Sequence, residues 1–347
     1  MALEFGLGFG QEQTVHNIAE RAKIADDLGF SHITQIDMGN LSHEVNVMMT
    51  LAAQATKHIK IGHGVTNPRT YHPGAIGNAM ASIRELSDGR AFVGIGAGGP
   101  YGQFLAKGAS IKELKEAVQF IKAYTAGEEA SLGGESWHSE WIRSSRWNGQ
   151  SVPVYVAVAG PKTCQLAGEV ADAVFTIGMD PELQKWRKEQ IEKGAESAGR
   201  DPSEIDIWVR TQCYVADSKE EAKHYTEPYA ATCVWELYQI LRRDNPDVLD
   251  LRRRIERRHP GIIDEFKQIY DAWDPYYTER IGGPQTVPVT QRVIDFFLAT
   301  GTIEDVDEQI HQVQQVGVKG ISSVMFSITD DIEMMHRIAR EIVPKFN

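Results

Sequence analysis

The chain has 347 residues, enough for one large barrel or two medium domains, and its 42% apolar and 24% charged residues are the proportions of a soluble globular protein. A net charge of −12 argues against a general affinity for nucleic acid or for an anionic membrane. Cys164, Cys213 and Cys233 are odd in number and widely spaced, which supports neither a metal-ligand pattern nor a disulfide framework and points to the reducing cytoplasm.

Short apolar runs alternate with longer helical patterns. Residues 3–8 read as a strand ending in glycines. Over residues 14–28, Val15, Ile18, Ala19, Ala22 and Ala25 share one helical face, and Gly29 stops the helix. Residues 32–36 read as a strand, 45–56 as a helix and 59–64 as a strand. Pro73 opens a helix over 73–86, Asp88-Gly89 turns the chain, and 90–95 form a strand. A helix at 111–124, a strand at 154–157, a helix at 161–170 and a strand at 173–176 follow. Then come a helix at 181–198, a strand at 205–215, a helix at 306–316, a strand at 320–325 and a last helix at 332–342.

These make about eight βα units, which predicts an α/β fold of the (β/α)₈ TIM-barrel type, a single domain over residues 1–347. An open doubly wound sheet with a second domain is the alternative. Two stretches break the repeat. Residues 107–152 carry Trp137, Trp141 and Trp147, and residues 224–290 are helical and rich in charge and aromatics. Such insertions are expected at the C-terminal ends of the strands, where they close a site. Residues 1–10 lack the basic flank of a secretory signal, and no apolar run is long enough to span a membrane.

Several motifs carry candidate chemistry. Gly94-Ile95-Gly96-Ala97-Gly98-Gly99 matches G-x-G-x-x-G after a strand, but Pro100 follows, where a dinucleotide fold needs a helix. Its glycines would still leave backbone N–H groups open to a ring or a phosphate. Ala159-Gly160-Pro161-Lys162-Thr163 reads either as a phosphate site at a helix start or as a tight turn with proline in the first helical position. Asn67 offers amide groups to a heterocycle, or marks an ordinary Asn-Pro turn. Asp37 ends the second strand, as a reacting carboxylate or a loop cap. The sequence contains no H-E-x-x-H, no paired CxxC and no G-x-S-x-G, so zinc hydrolysis and nucleophile-elbow chemistry have no support and no metal is expected. Arg252-Arg253-Arg254 with Arg257-Arg258 is a solvated helix face or a partner for an acidic cofactor tail.

Residues 62–99, GHGVTNPRTYHPGAIGNAMASIRELSDGRAFVGIGAGG, resemble the third strand, helix and fourth strand of methylenetetrahydromethanopterin reductases and other luciferase-like proteins. Residues 152–175, VPVYVAVAGPKTCQLAGEVADAVF, resemble their fifth strand, helix and sixth strand. The resemblance implies a barrel that holds a flavin-type ring at the C-terminal ends of the strands, with a cis peptide at the bond matching Gly64–Val65. It implies that Gly64 and Val65 support the ring, that Thr66 and Asn67 edge it and that Gly96, Ala97 and Gly98 approach it. Ala159, Gly160 and Pro161, with Lys162 and Thr163 beside them, would lie toward the phosphate. The sequence has Asp37-Met38 where deazaflavin-using relatives often read Asp-His, and Gly99 where they often read Asp. Both departures bear on the choice of cofactor.

Three functions remain. The first is an F420-dependent oxidoreductase transferring a hydride to or from a small organic substrate, with Asp37 as the candidate acid or base and a basic groove for the acidic tail of F420. The second is an FMN-dependent luciferase-like monooxygenase, supplied with FMNH2 by a flavin reductase and needing a dry pocket closed by the two insertions. The third is a flavin-binding protein without turnover. The resemblance also implies a homodimer, through helices 45–56 and 73–86. Residues 224–290 are expected to act as a mobile lid or as a fixed helical cap.

Overall fold

The computed structural model describes residues 2–98, 107–133, 139–143, 151–277, 280–326 and 330–346. Eight short strands close a barrel: β1 (Glu4–Phe9), β2 (His32–Gln35), β3 (Lys60–His63), β4 (Ala91–Ile95), β7 (Val154–Ala157), β8 (Ala173–Ile177), β9 (Asp206–Thr211) and β12 (Gly320–Val324). Their order around the barrel is β1-β12-β9-β8-β7-β4-β3-β2, and every pair is parallel. The (β/α)₈ barrel expected from the sequence is therefore the fold, and the open sheet is excluded.

Helices α1 (Ile18–Asp27), α2 (Val45–Ala55), α3 (Pro73–Leu86), α4 (Ile111–Thr125), α5 (Pro161–Val170), α6 (Pro181–Ser197), α11 (Ile303–Gln314) and α12 (Asp331–Arg337) follow the strands in turn. Strand residues buried on both faces leave the barrel core continuous with the helix layer. Inside the barrel, Phe92 and Tyr155 stack with ring centroids 4.2 Å apart, and His32 meets Trp208 edge-on at 4.5 Å. A Cβ on Gly62 would sit 2.3 Å from the Phe92 ring, so this glycine makes room for the aromatic plug. The plug fills the barrel, and the open space begins above it.

The two insertions differ in place. Residues 107–110 lead from the C-terminal end of the strands into α4, which packs between α3 and α5 as an ordinary outer helix. The hairpin of β5 (Glu129–Leu132) and β6 (Ser139–Arg143) joins α4 to β7, which puts it at the opposite end, where the strands begin. Trp141 lies on β6, and Trp137 and Trp147 fall outside the described residues.

The second insertion leaves the C-terminal end of β9. The expected strand over 205–215 breaks at Gln212, whose Nε2 donates to the Phe326 carbonyl. Beyond it, β10 (Cys213–Val215) pairs with β11 (Ala299–Gly301) outside the barrel. Helices α7 (Lys219–Leu241), α8 (Pro246–Arg258), α9 (Ile262–Asp271) and α10 (Gln291–Phe297) build a second apolar cluster. In it Leu237, Leu251, Ile255, Phe266 and Phe297 pack with Trp186 of α6 and Val324 of β12. A segment anchored by this many buried side chains is a cap with its own core.

Helices α2 and α3 spend most of their apolar residues on the barrel. In the sequence, Val47, Met48, Met49, Ile76 and Met80 give these two helices more apolar side chains than one barrel contact would need, which suggests a subunit surface. Met48, Met49, Ile76 and Met80 are instead buried in the core and Val47 is exposed, at 48%, so their apolar content is not a surplus.

Candidate active site

The loop after β3 does not leave the sheet. Thr66 N–H donates to the Gly94 carbonyl at 3.0 Å, and Gly96 N–H donates to the Thr66 carbonyl at 2.9 Å. The Gly64–Val65 peptide is cis, as the resemblance implied. Residues 64–67 and 96–98 thus form one continuous backbone wall. Neither glycine of the second stretch is idle. A Cβ on Gly96 would come within 3.2 Å of the Val65 side chain, and Gly98 adopts φ +94°, where a side chain is strained.

This wall bounds a cavity of about 470 Å³ at the C-terminal end of the barrel. Asp37, Gly64, Val65, Thr66 and Asn67 line it, with Gly96, Ala97, Gly98, Ala159 and Thr163. Of the residues singled out in the sequence, Gly160, Pro161 and Lys162 do not line it. Gly160 packs under α7, where a Cβ would meet Ile240 at 3.1 Å, while Pro161 is buried and Lys162 points to solvent.

The start of α5 is partly satisfied from within. Thr163 Oγ1 accepts from the N–H groups of Ala159 and Gly160, both at 3.2 Å. Among the described residues, that leaves the Lys162 and Thr163 N–H groups as the unpaired donors of the first turn. Asn67 is both things the sequence allowed. Its Oδ1 accepts from the N–H groups of Arg69 and Thr70 at 3.0 Å, closing a turn, while its side chain lines the cavity.

Asp37 is buried, with Oδ2 accepting from Thr66 Oγ1 at 2.6 Å and Oδ1 from Gly39 N–H at 3.3 Å. Burial raises its carboxyl above the ordinary range, and these two hydrogen bonds pull the other way.

The opposite wall was not found in the sequence. It comes from β9, from one face of α7, where Tyr229, Thr232, Cys233, Glu236 and Gln239 recur at helical spacing, and from Arg243 just beyond the helix. Arg210 of β9 is buried and lines the cavity. Its Nη1 donates to the Gly64 carbonyl at 2.6 Å, and its Nε has no partner among the described residues. Arg187 of α6 lies behind this wall, buried, with Nη1 donating to the Ile177 carbonyl. Neither guanidinium has an ion-pair partner among the described residues.

Glu236 faces the same space and makes no hydrogen bond among the described residues. Burial pushes its carboxyl up to about 7, against the attraction of Arg210 and Arg187. The signal in the sequence was a polar stripe at i, i+4 and i+7, namely Thr232, Glu236 and Gln239, inside the otherwise apolar second half of the helix.

The arginine run lies elsewhere. Arg254 of α8 pairs with Glu182, Glu189 and Asp250, Arg258 pairs with Asp180 at 3.1 Å, and Arg252 and Arg253 meet Asp244 and Asp250. These side chains tie the cap to α6 and to their own helix. The basic groove expected for an acidic tail is therefore not built from them, and the cations lining the cavity are Arg210 and Arg243.

The family model for luciferase-like monooxygenases matches residues 3–320. The chain belongs to this family. Among its relatives is the 5,10-methylenetetrahydromethanopterin reductase of Methanolobus tindarius, 30% identical over 92% of this chain and 93% of that protein. The corresponding reductase of Archaeoglobus fulgidus is 29% identical over 99% of both chains. The coenzyme F420 dependent tetrahydromethanopterin reductase of Methanopyrus kandleri superposes with a TM-score of 0.79 at 23% identity, covering 100% of both chains. Among the described residues, no helix is long and apolar enough to cross a membrane.

Proposed function

We propose that this chain is an F420-dependent oxidoreductase acting on a small organic substrate. The observation that carries the reading is the backbone wall of residues 64–67 and 96–98. It bounds a mostly apolar cavity at the catalytic end of a barrel that aligns over almost its full length with reductase relatives.

The residues present fit a flat, uncharged ring. Gly96 and Gly98 present no side chain, Ala157 and Phe175 keep the floor apolar, and the Asn67 side chain and Thr66 supply polar edges. Reduced F420, when bound, supplies a hydride. The chain's part is to hold the ring against the wall, to exclude water with α7 and to keep a proton on a buried carboxyl, for which Asp37 is one candidate. The unpaired N–H groups of Lys162 and Thr163, with the exposed Lys162 ammonium, suit a phosphate at the rim.

The monooxygenase reading has less support. The tryptophan-bearing hairpin lies at the other end of the barrel, so it does not close the pocket that reading needs, and no flavin reductase is required by the F420 reading. We further place the enzyme in the cytoplasm, as a single domain that assembles as a homodimer through the face carrying Val47.

The test is turnover under air. The purified protein is mixed with F420H2 and a panel of small carbonyl and alkene substrates while oxygen is monitored. The reading predicts F420H2 oxidation with substrate reduction and no oxygen consumed. Oxygen uptake with FMNH2, coupled to insertion of oxygen into a substrate, would overturn it.

A further inference from the structure

We infer that Glu236 of α7 is the proton-exchanging group for a substrate oxygen in this cavity, with Arg210 as the donor that holds that oxygen, so that the substrate is a carbonyl compound or its alcohol. The inference rests on the F420 reading and adds the substrate class to it.

In the barrel order, β3 and β9 are on opposite sides, so Arg210 and the Gly64–Asn67 wall face each other across the mouth. The α7 face that bears Glu236 closes the space above Arg210. Arg210 has spent one donor on the Gly64 carbonyl; among the described residues its Nε is buried without a partner and no carboxylate forms an ion pair with the guanidinium. Glu236 lines the cavity and makes no hydrogen bond among the described residues. A buried donor without a partner and a half-buried carboxyl without a hydrogen bond among the described residues line one pocket, where a ligand oxygen would complete both.

The charged and titratable groups around Glu236 among the described residues are Arg210 on β9, Arg187 on α6, Tyr229 and Cys233 on its own helix and Arg243 just beyond it, with Asp37 across the cavity. Two buried guanidinium groups disfavour a cationic iminium and favour an oxygen on which negative charge develops. Burial keeps a proton on Glu236 near neutrality.

The step balances. A carbonyl carbon that gains a hydride from the reduced deazaflavin passes its π electrons to oxygen. Glu236 gives its O–H proton to that oxygen as charge develops there, beside the Arg210 guanidinium. The carbonyl is reduced to an alcohol, the cofactor is oxidised, and the Glu236 carboxylate regains a proton from water at the mouth. The reverse direction runs with the carboxylate as base.

The test compares wild type with Glu236→Gln, Glu236→Asp and Glu236→Ala. Each is checked for F420 affinity by fluorescence, and for F420H2 oxidation by cyclohexanone, benzaldehyde and pyruvate between pH 5 and 9. We expect wild type to reduce at least one probe, with a rate that falls as pH rises past about 7. Glu236→Gln should be at least a hundredfold slower with a flat profile, Glu236→Asp should recover part of the rate, and F420 affinity should stay within about threefold. Wild type that binds F420 but reduces none of the probes, or Glu236→Gln with an unchanged profile, would overturn the inference. So would loss of F420 binding in Glu236→Gln.

If wild type itself fails to bind F420, the cofactor reading falls, and Glu236 is judged by carbon NMR of glutamate labelled at the carboxyl. A signal absent from Glu236→Gln should shift when cyclohexanone is added, and no shift would sink the assignment.

Discussion

Arg210 Nη1 lies 2.6 Å from the Gly64 carbonyl oxygen, so a side chain from β9 holds the wall that follows β3 on the far side of the barrel. Removing this donor leaves a buried carbonyl unpaired, at a cost of about 1–3 kcal/mol, while relieving a buried cation that has no ion pair. The two effects oppose in stability but not in function. Arg210→Met should melt close to wild type and bind F420 about tenfold or more weakly, by fluorescence titration, because the wall is no longer pinned. Wild-type affinity would show that the wall holds its shape without Arg210.

Gly98 sits at φ +94°, and a Cβ there would find its nearest neighbours, Gly108 Cα and Asn67 Cβ, at 3.6 and 3.9 Å. Space is therefore not the obstacle; backbone strain of about 1–3 kcal/mol is. Gly98→Val should relieve that strain by moving the loop, leaving the barrel folded by circular dichroism while F420 binding is lost. A folded variant with unchanged affinity would mean that this loop does not meet the ring.

Glu236 also sets a pH dependence that needs no ligand. Its carboxyl titrates near 7 in the folded chain against an ordinary 4.5, so between these values the folded state binds the extra proton. Stability from this group is therefore fully present below about 4.5 and lost as pH rises through about 7. Glu236→Gln should melt several degrees above wild type at pH 8, and the gap should close toward pH 5. Parallel melting curves at both pH values would contradict a half-buried, proton-retaining carboxyl.

How much of this was legible in the sequence depends on which wall is considered. The strand–loop wall follows from residues 62–99, where glycines and Asn67 stand at fixed distances after strands, and the (β/α)₈ repeat places those loops at one end. The α7 wall was hidden because a helix announces its buried face by apolar spacing, and Glu236 reads as an ordinary helix-surface charge. Arg210 was hidden differently. A single cation within an apolar strand gives no sign of which carbonyl it will meet across a barrel. The arginine run misled for the opposite reason: five arginines in seven positions look like a docking site, yet four of them are paired with acids. The insertion 107–152 was placed at the catalytic end by its length, whereas its hairpin follows α4 and so lies at the other end.

The cap should resist protease. α7 to α9 bury Leu237, Leu251, Ile255 and Phe266, whereas Tyr276 is 69% and Val287 84% exposed in the stretch beyond them. Limited proteolysis should cut first between residues 275 and 289 and leave α7 to α9 intact, with and without F420. Early cleavage within α7 that slows when F420 is added would instead reveal a mobile lid.

The homodimer proposal narrows to a small apolar face. Val47 is 48% exposed on α2 and Leu86 47% exposed at the end of α3. Sedimentation at micromolar concentration should give a dimer, and Val47→Glu should shift it toward monomer without lowering the melting temperature of the barrel. A monomeric wild type would remove this face from consideration.

The most direct test of the central claim is equilibrium binding of the cofactor to the purified chain, with F420 and FMN titrated side by side and followed by fluorescence. The account predicts saturable binding of F420 at one site per chain, at least tenfold tighter than FMN, and weakened by both Gly98→Val and Arg210→Met. Tighter binding of FMN, or F420 binding unaffected by either substitution, would contradict it.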